Sequence, residues 1–253
     1  MIQTLATLID KKNISKNIFL VTFRSAELTK NVKPGQFIHI RINERGCPYF
    51  RRPFSYCELE KDTFSIMFNV HGYGTEQIVN SNIGSTLDVI GPLGNGFTLE
   101  DDYDIAILIA GGLGVAPIIF LTETLRNKKQ IISYLGARTK DYIIDYKLDN
   151  IRIATDDGSI GYKGTVVDLL ERDFINKKYS GKIKIFACGP TPMLKALSEL
   201  SLKLNINCEI ATEAQMICGF GTCQSCVIET KDGNQYKLVC KDGPVFNAKD
   251  IRL

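Results

Sequence analysis

The stretch "YDIAILIAGGLGVAPIIFLTETLRNK", residues 103–128, determines the fold class of this chain. Its first eight residues are almost continuously apolar, which is typical of a strand covered on both faces. Gly111, Gly112 and Gly114 follow, and the residues after them have helical spacing. Residues 105–121 carry no charge, but the glycines and Pro117 interrupt them. We therefore predict a buried strand, a tight turn and a helix rather than a membrane span, which needs about 20 apolar residues.

The same alternation recurs on the C-terminal side of this stretch. Strands alternating with helices predict a parallel sheet that is covered by helices on both faces, here over residues 99–212. The predicted strands are "QIISYLGAR" (130–138), "IRIATDD" (151–157), "KIKIFACGP" (182–190) and "NCEIAT" (207–212), and the predicted helices are "GTVVDLLERDF" (164–174) and "TPMLKALSELSLKL" (191–204).

The N-terminal side has a different pattern. Residues 1–98 contain short runs rich in Ile, Val, Phe and Thr, separated by glycine and proline turns, which predict an antiparallel β-barrel or a sandwich. Residues 213–253 are rich in Gly and Cys and lack helical period, so we assign them to a small third module. The barrel strands are predicted at "NIFLVTFRS" (17–25), "GQFIHIRIN" (35–43), "TFSIMFNV" (63–70) and "TLDVIGPLG" (86–94).

Composition places the chain among ordinary globular proteins. It has 253 residues, of which 44% are hydrophobic and 23% charged, and its net charge is only +3. Acidic and basic residues are interspersed, so the sequence predicts neither nucleic-acid binding nor membrane association. The N-terminus is too polar for a signal peptide, and we expect a cytoplasmic protein whose thiols stay reduced.

Four cysteines near the end of the chain are the strongest functional signal. Cys218, Cys223, Cys226 and Cys240 have the spacing C-x4-C-x2-C-x13-C. This spacing is that of plant-type [2Fe–2S] clusters, whereas zinc sites usually use two short C-x2-C pairs. A zinc site and unliganded thiols remain open alternatives, and the expected reducing compartment makes disulfides less favoured. Cys47, Cys57 and Cys208 have no such pattern, and we expect Cys57 and Cys208 in the core.

Four further motifs suggest nucleotide binding. The turn "AGGLGVAP" (110–117) could admit a pyrophosphate to the backbone at a helix N-terminus, although it lacks the full G-x-G-x-x-G spacing. "ACGPTPM" (187–193) ends another predicted strand at the edge where ligands of parallel sheets bind. In the β region, "RRPFSY" (51–56) offers a guanidinium, a hydroxyl and an aromatic face, and "GYGT" (72–75) offers backbone amides.

Together these motifs resemble the ferredoxin reductase superfamily, in which an FAD-binding β-barrel precedes a nicotinamide nucleotide domain. The cysteine module, with "CGFGTCQSC" and "VCKDGPVF", is similar to that of class 1B dihydroorotate dehydrogenase electron transfer subunits. The resemblance implies a multi-domain β plus α/β protein with an FAD barrel (1–98), an NAD domain (99–212) and a [2Fe–2S] module (213–253). It implies FAD contacts at Arg52, Pro53, Phe54, Ser55, Met67, Phe68, Asn69, Gly74 and Thr75, NAD contacts at Gly111, Gly112, Gly114, Cys188, Gly189 and Pro190, and cluster ligands at Cys218, Cys223, Cys226 and Cys240.

The resemblance also implies a function and a partner. An FMN-containing catalytic subunit would oxidise dihydroorotate to orotate, in a heterotetramer of two plus two subunits, and this chain would pass the electrons to NAD. No side chain is then expected to act as an essential acid or base, although Cys188 is expected near the nicotinamide. Reductase subunits of other flavin and iron–sulfur systems, and a zinc-stabilised nucleotide-binding module without redox chemistry, remain alternatives. Arg138 could bind a 2′-phosphate, whereas Asp156 and Asp157 would repel one.

Overall fold

The first seven strands form one antiparallel sheet. We describe residues 1–42, 48–176 and 179–253 of a computed structural model, so Cys47 lies outside the described residues. The strand order is β4-β3-β7-β1-β2-β6-β5, and helix α1 (Tyr73–Asn80) connects β6 to β7. The strands are β1 (Ile2–Ser15), β2 (Ile18–Arg24), β3 (Phe37–Arg41), β4 (Arg52–Ser55), β5 (Glu58–Glu60), β6 (Thr63–Asn69) and β7 (Thr86–Leu93).

This sheet curls so that its two edges approach each other. The chain passes from edge strand β4 to edge strand β5 through two residues: the Tyr56 N–H donates to the Gln36 carbonyl beside β3 at 3.2 Å, and the Cys57 N–H donates to the Ser65 carbonyl of β6 at 2.8 Å. The rings of Phe54 in β4 and Phe68 in β6 pack with centroids 5.3 Å apart. The sheet therefore closes into the predicted barrel around an apolar interior.

The sequence patterns did not predict β1, the longest strand. Of its 14 residues only Ala6 and Leu8 are buried, and the second half carries Asp10, Lys11 and Lys12. Because most of this strand faces solvent, it lacks the clear apolar alternation by which the other strands were recognised.

Residues 105–211 form the predicted α/β unit. All seven residues of β8 are buried, as expected of a strand that is covered on both faces. The strand order is β11-β10-β9-β8-β12-β13 with every pair parallel. The elements are β8 (Ile105–Gly111), α2 (Val115–Leu125), β9 (Gln130–Ala137), β10 (Ile151–Thr155), β11 (Tyr162–Lys163), α3 (Val166–Ile175), β12 (Ile183–Cys188), α4 (Thr191–Lys203) and β13 (Asn207–Ala211).

The C-terminal segment is built into this second unit. Strands β14 (Val227–Glu229) and β15 (Tyr236–Leu238) form a small hairpin, and β16 (Val245–Asn247) then pairs antiparallel with β13. Most buried apolar residues of the segment, including Cys226 and Cys240, share one apolar core with helix α4 and strand β13. The segment thus shares the core of the α/β unit, as expected because about 40 residues are too few to form a stable core alone. None of the helices in the described ranges has the length and apolarity to cross a membrane.

Candidate functional site

A cleft of about 330 Å³ lies between the barrel and the α/β unit. Strand β4 contributes Pro53, Phe54 and Ser55 to its barrel wall, and α1 contributes Thr75. The structure therefore brings together most of the residues that were predicted to contact FAD, since Met67, Phe68 and Asn69 of β6 line the same wall.

Arg52 and Gly74 lie beside each other. A Cβ atom placed on Gly74 would be 3.8 Å from Arg52 Nε. At the start of α1, Gly72 has φ of 82°, and Thr75 Oγ1 accepts the His71 N–H at 2.8 Å and donates to the Gly72 carbonyl at 3.0 Å. Amide groups of the first turn of α1 therefore remain free to donate to a ligand. Together with the Arg52 guanidinium beside them, they suit a bound phosphate.

The opposite wall of the cleft contains a carboxylate that the sequence analysis missed. Glu213 lies two residues after the end of β13 and lines the cleft together with Thr212, Ala214 and Met216. Its position at the carboxyl end of a parallel strand could have identified it, because ligands of such sheets bind at that edge.

A second cavity, of about 500 Å³, lies at the carboxyl edge of the parallel sheet. Gly111, Gly112 and Pro190 line it, as do Arg138 and Asp156, whose side chains were predicted to influence coenzyme choice. Met193 of the ACGPTPM motif lines it too, whereas Tyr142 and Thr165 were not identified from the sequence. Thr165 could have been found as the N-cap of α3, where its hydroxyl and the Asp168 carboxylate form a reciprocal capping box.

The other predicted nucleotide residues lie behind this cavity. Cys188 is 5% exposed and is not among the residues that line either cavity. A Cβ atom on Gly114 would overlap the Cys188 carbonyl and approach the Gly189 amide. Burial, and to a lesser degree the charge of Glu213, raise the pKa of the Cys188 thiol, so that it stays protonated near neutral pH. Gly114, Cys188 and Gly189 thus pack the β8–α2 turn against the β12–α4 turn and do not line the cavity.

The four predicted cluster cysteines approach one another as two pairs. The Cys223 N–H donates to Cys218 Sγ at 3.4 Å, and the Cys240 N–H donates to Cys226 Sγ at the same distance. All four are free thiols. Hydrogen bonds from Ser225 lower the pKa of Cys223 to about 6, whereas burial raises the pKa of Cys240 to about 12.

This paired arrangement fits a [2Fe–2S] cluster, in which two thiolates bind each iron. Among the described residues, no three or more His, Cys, Asp or Glu side chains converge on one point as the ligands of a single metal ion would, and the four cysteines meet in two pairs. The glycines within the loop have the backbone conformation that a tight fold over a cluster requires, with φ of 84° at Gly219 and 92° at Gly221. The spacing and pairing of the cysteines and the glycine-containing loop therefore fit a [2Fe–2S] cluster.

The loop of residues 217–226, which we call the cysteine loop, contacts the barrel through His39. The Nδ1 atom of His39 lies 3.1 Å from the Cys218 carbonyl oxygen. Burial is the main cause that lowers the pKa of His39 to about 4, so the ring is neutral near pH 7. No motif in the sequence pointed to this contact, which joins residues 179 positions apart in the chain.

The fold and the two cavities define a ferredoxin reductase-like oxidoreductase. The structure of an NADH-dependent reduced ferredoxin-NADP oxidoreductase, described for flavin-based electron bifurcation, has a TM-score of 0.86 and 29% identity, and the match covers 98% of this chain and 90% of that one. Phthalate dioxygenase reductase has a TM-score of 0.66 at 15% identity, over 94% of this chain and 77% of that one, and supports the fold alone.

The C-terminal segment and the full-length relatives give the family. Residues 213–252 match the model of the iron–sulfur cluster binding domain of dihydroorotate dehydrogenase B. Two curated relatives carry the name dihydroorotate dehydrogenase B (NAD(+)), electron transfer subunit. The one from Caldanaerobacter subterraneus subsp. tengcongensis is 33% identical over 97% of both chains, and the one from Desulforamulus reducens is 36% identical over 94% of both. This chain belongs to the family of dihydroorotate dehydrogenase B electron transfer subunits. The predicted class, an oxidoreductase subunit that transfers electrons with FAD, a [2Fe–2S] cluster and NAD, is confirmed.

Proposed function

We propose that this chain transfers electrons between an FMN-containing dihydroorotate dehydrogenase catalytic subunit and NAD, and so supports oxidation of dihydroorotate to orotate in pyrimidine biosynthesis. The observation that carries this proposal is the four-cysteine segment, which matches the dihydroorotate dehydrogenase B cluster domain over residues 213–252 and rests on the flavin barrel through Cys218 and His39.

The positions of the two cavities support this electron path. Leu113 lines the interdomain cleft, while Gly111 and Gly112, just before it in the chain, line the nucleotide cavity. The β8–α2 turn therefore separates the two cavities, and a ring in one could approach a ring in the other. A flavin bound in the cleft would exchange electron pairs with a nicotinamide and single electrons with an iron–sulfur centre.

The roles of individual residues follow from where they lie. We assign FAD to the cleft, with Phe54 and Ser55 beside its ring system and with Arg52, Gly74 and Thr75 at its phosphates. We assign NAD to the second cavity, with its phosphates near Gly111 and Gly112. The other proposed FAD contacts are Pro53, Met67, Phe68 and Asn69. Pro190 would contact NAD directly. Gly114, Cys188 and Gly189 would act on NAD binding indirectly, by packing the turns that form the cavity.

The proposed partner docks at the cysteine loop, in a complex of two plus two subunits. Ile217 and Phe220, which flank the first ligand, are 43% and 41% exposed. The "PVFNAKDIRL" segment that follows the last ligand packs inward instead, since Phe246 and Ile251 are buried. Docking at the exposed loop would place the cluster close to the partner's FMN.

The test is anaerobic co-expression with the FMN-containing catalytic subunit encoded by the same organism. We expect a complex that contains FAD, FMN, iron and labile sulfide, and that reduces NAD+ when dihydroorotate is added. The isolated chain should oxidise NADH with an artificial acceptor but should not oxidise dihydroorotate. A complex that forms with all cofactors but does not reduce NAD+ would contradict the proposal.

A second candidate is a subunit of a ferredoxin-NAD(P) oxidoreductase. The 29% identity and TM-score of 0.86 to the ferredoxin-NADP oxidoreductase structure favour it over other reductase partners. Reduction of ferredoxin by the purified complex, without turnover of dihydroorotate, would support this alternative. Zinc in place of iron would favour a module without redox chemistry.

A further inference from the structure

His39 lies where the barrel touches the cysteine loop. It is fully buried on β3, and its Nδ1 atom is 3.1 Å from the carbonyl oxygen of Cys218, the first cysteine of the loop. A Cβ atom on Gly219 would overlap the His39 ring, so the loop backbone lies directly against the imidazole. This close approach needs a glycine, and its φ of 84° favours glycine as well.

The partner of Nδ1 determines the tautomer of the ring. A carbonyl oxygen only accepts hydrogen bonds, so a neutral His39 must carry its proton on Nδ1. The Nε2 atom then holds a lone pair, and it is buried without a hydrogen-bond partner among the described residues. The ring therefore has a single polar contact in this part of the structure, and that contact is with the backbone of a cluster cysteine.

Strand β3 connects this contact to the flavin cleft. Phe37 and His39 lie two residues apart, so their side chains are on the same face of the strand. Their rings pack edge to face with centroids 6.4 Å apart, and Phe37 lines the cleft. Strand β3 thus provides both Phe37, which lines the cleft, and the His39 N–H, which contacts the cysteine loop.

We propose that His39 is a positioning residue, whose Nδ1–H holds the Cys218 peptide and so sets the place of the cluster relative to the flavin. Partners outside the first ligand shell orient metal ligands, and their loss typically lowers affinity or activity by 10- to 100-fold. Electron transfer also slows steeply with distance, so a small displacement of the loop is sufficient to slow it. The inference rests on the proposed electron path but does not depend on the identity of the partner.

Three substitutions at His39 distinguish the effect of its hydrogen bond from the effect of its packing. His39→Asn keeps a donor near the position of Nδ1, His39→Gln moves the donor towards the position of Nε2, and His39→Leu fills a similar volume without any donor. The full chain is purified anaerobically with its flavin and cluster. NADH, a two-electron donor, is added in stopped flow, and flavin and cluster bleaching are followed separately.

All three variants should bind flavin and should show wild-type rates of flavin bleaching by NADH. In His39→Leu and His39→Gln, bleaching of the cluster should be about tenfold slower, and the electron paramagnetic resonance spectrum of the reduced cluster should change. His39→Asn should restore both properties towards wild type. A wild-type spectrum and rate in His39→Leu, or an equal defect in all three variants, would overturn the proposal.

Hydrogen exchange provides a readout that requires neither the cluster nor dihydroorotate. Amides of residues 217–223 should exchange faster in His39→Leu than in His39→Asn or wild type. Gly219→Ala, which leaves His39 intact but pushes the loop off its ring, should have the same effect. Unchanged exchange in both His39→Leu and Gly219→Ala would also refute the proposal. Failure of dihydroorotate turnover in the wild-type complex would instead count against the proposed function, since neither readout uses that substrate.

Discussion

Two neighbouring carboxylates after β10 have different surroundings. Asp156 lines the nucleotide cavity, as Arg138 does. Asp157 instead accepts the Ser159 N–H at 2.9 Å, and hydrogen bonds from Ser159 lower the pKa of its carboxyl group. Under the proposed assignment of this cavity to the coenzyme, Asp156 but not Asp157 would repel a 2′-phosphate and oppose the attraction of Arg138.

Asp156→Asn should shift coenzyme preference towards NADPH. We expect the ratio of kcat/KM for NADPH to that for NADH to rise by about fivefold or more, since unit charges 4 Å apart interact by about 1 kcal/mol even in water. The measurement compares the two coenzymes as reductants of the bound flavin. Asp157→Asn is the matched control and should leave the ratio unchanged; equal shifts in both variants would contradict the assignment.

Cys223→Ser should remove the cluster while leaving the flavin in place. Cys223 is exposed and is paired only with Cys218 and Ser225 among the described contacts, and a serine oxygen is a poor replacement for a thiolate in an iron–sulfur site. Iron and labile sulfide should fall to background in chemical analysis. Cys208→Ala, at a buried cysteine in β13, is the control and should keep its iron. Wild-type iron content in Cys223→Ser would exclude Cys223 as a ligand.

At the scale of elements, the β8–α2 and β12–α4 turns depend on each other. Gly114 has an ordinary helical φ of −58°, so the requirement for glycine there is steric. Its missing side chain lets the turn approach the Cys188 carbonyl and the Gly189 amide. The glycines of the turn thus have separate tasks: Gly111 and Gly112 line the cavity, and Gly114 permits the packing behind it.

Gly114→Ala should destabilise the chain by about 1–3 kcal/mol, the usual cost of forcing extra atoms into a packed site. Gly74→Ala is the control, because a Cβ atom there meets only ordinary contacts, at 3.7 Å from Ile42 and beyond. That variant should be neutral or slightly stabilising, by about 0.4–1 kcal/mol, as is common where alanine fits. Urea unfolding followed by circular dichroism measures both. Equal stability of the two variants would show that the β8–α2 turn can move aside.

Across the whole molecule, ionic contacts hold the α/β unit to the segment that follows β7 on one side and to the barrel on the other. On one side Lys184, 1% exposed, donates to the Thr98 carbonyl at 2.8 Å and pairs with Asp101 and, at 3.1 Å, with Glu209. On the other side Lys147 pairs with Glu58 of the barrel at 2.5 Å and with Glu123 of α2 at 3.0 Å. These contacts help to fix the orientation of the two units and therefore the shape of the cleft between them.

Lys184→Met should lower the free energy of unfolding by about 3–5 kcal/mol, because it leaves the buried carboxylate of Glu209 without its cation. We also expect weaker retention of flavin, measured as the flavin-to-protein ratio after gel filtration. Lys182→Met is matched on the same segment of chain and should have little effect, since Lys182 and Asp102 form an exposed pair. A stable Lys184→Met variant that retains its flavin would show that the cleft does not need this contact.

The sequence by itself determined the order of the parts and the cluster. Apolar runs followed by glycine turns and helical spacing are local patterns, so they predicted the α/β unit before any contact was known. The spacing of Cys218, Cys223, Cys226 and Cys240 likewise predicted a [2Fe–2S] site. Strand β1 escaped prediction because its apolar alternation is short.

Only the tertiary structure decided which of these residues line a cavity. It buried Cys188 and Gly114 behind the nucleotide cavity, added Glu213 to the cleft and returned β16 to the edge of β13. It also placed His39 against a loop 179 residues further along the chain. Such contacts depend on how distant segments fold back on one another, and spacing along the chain carries no information about that.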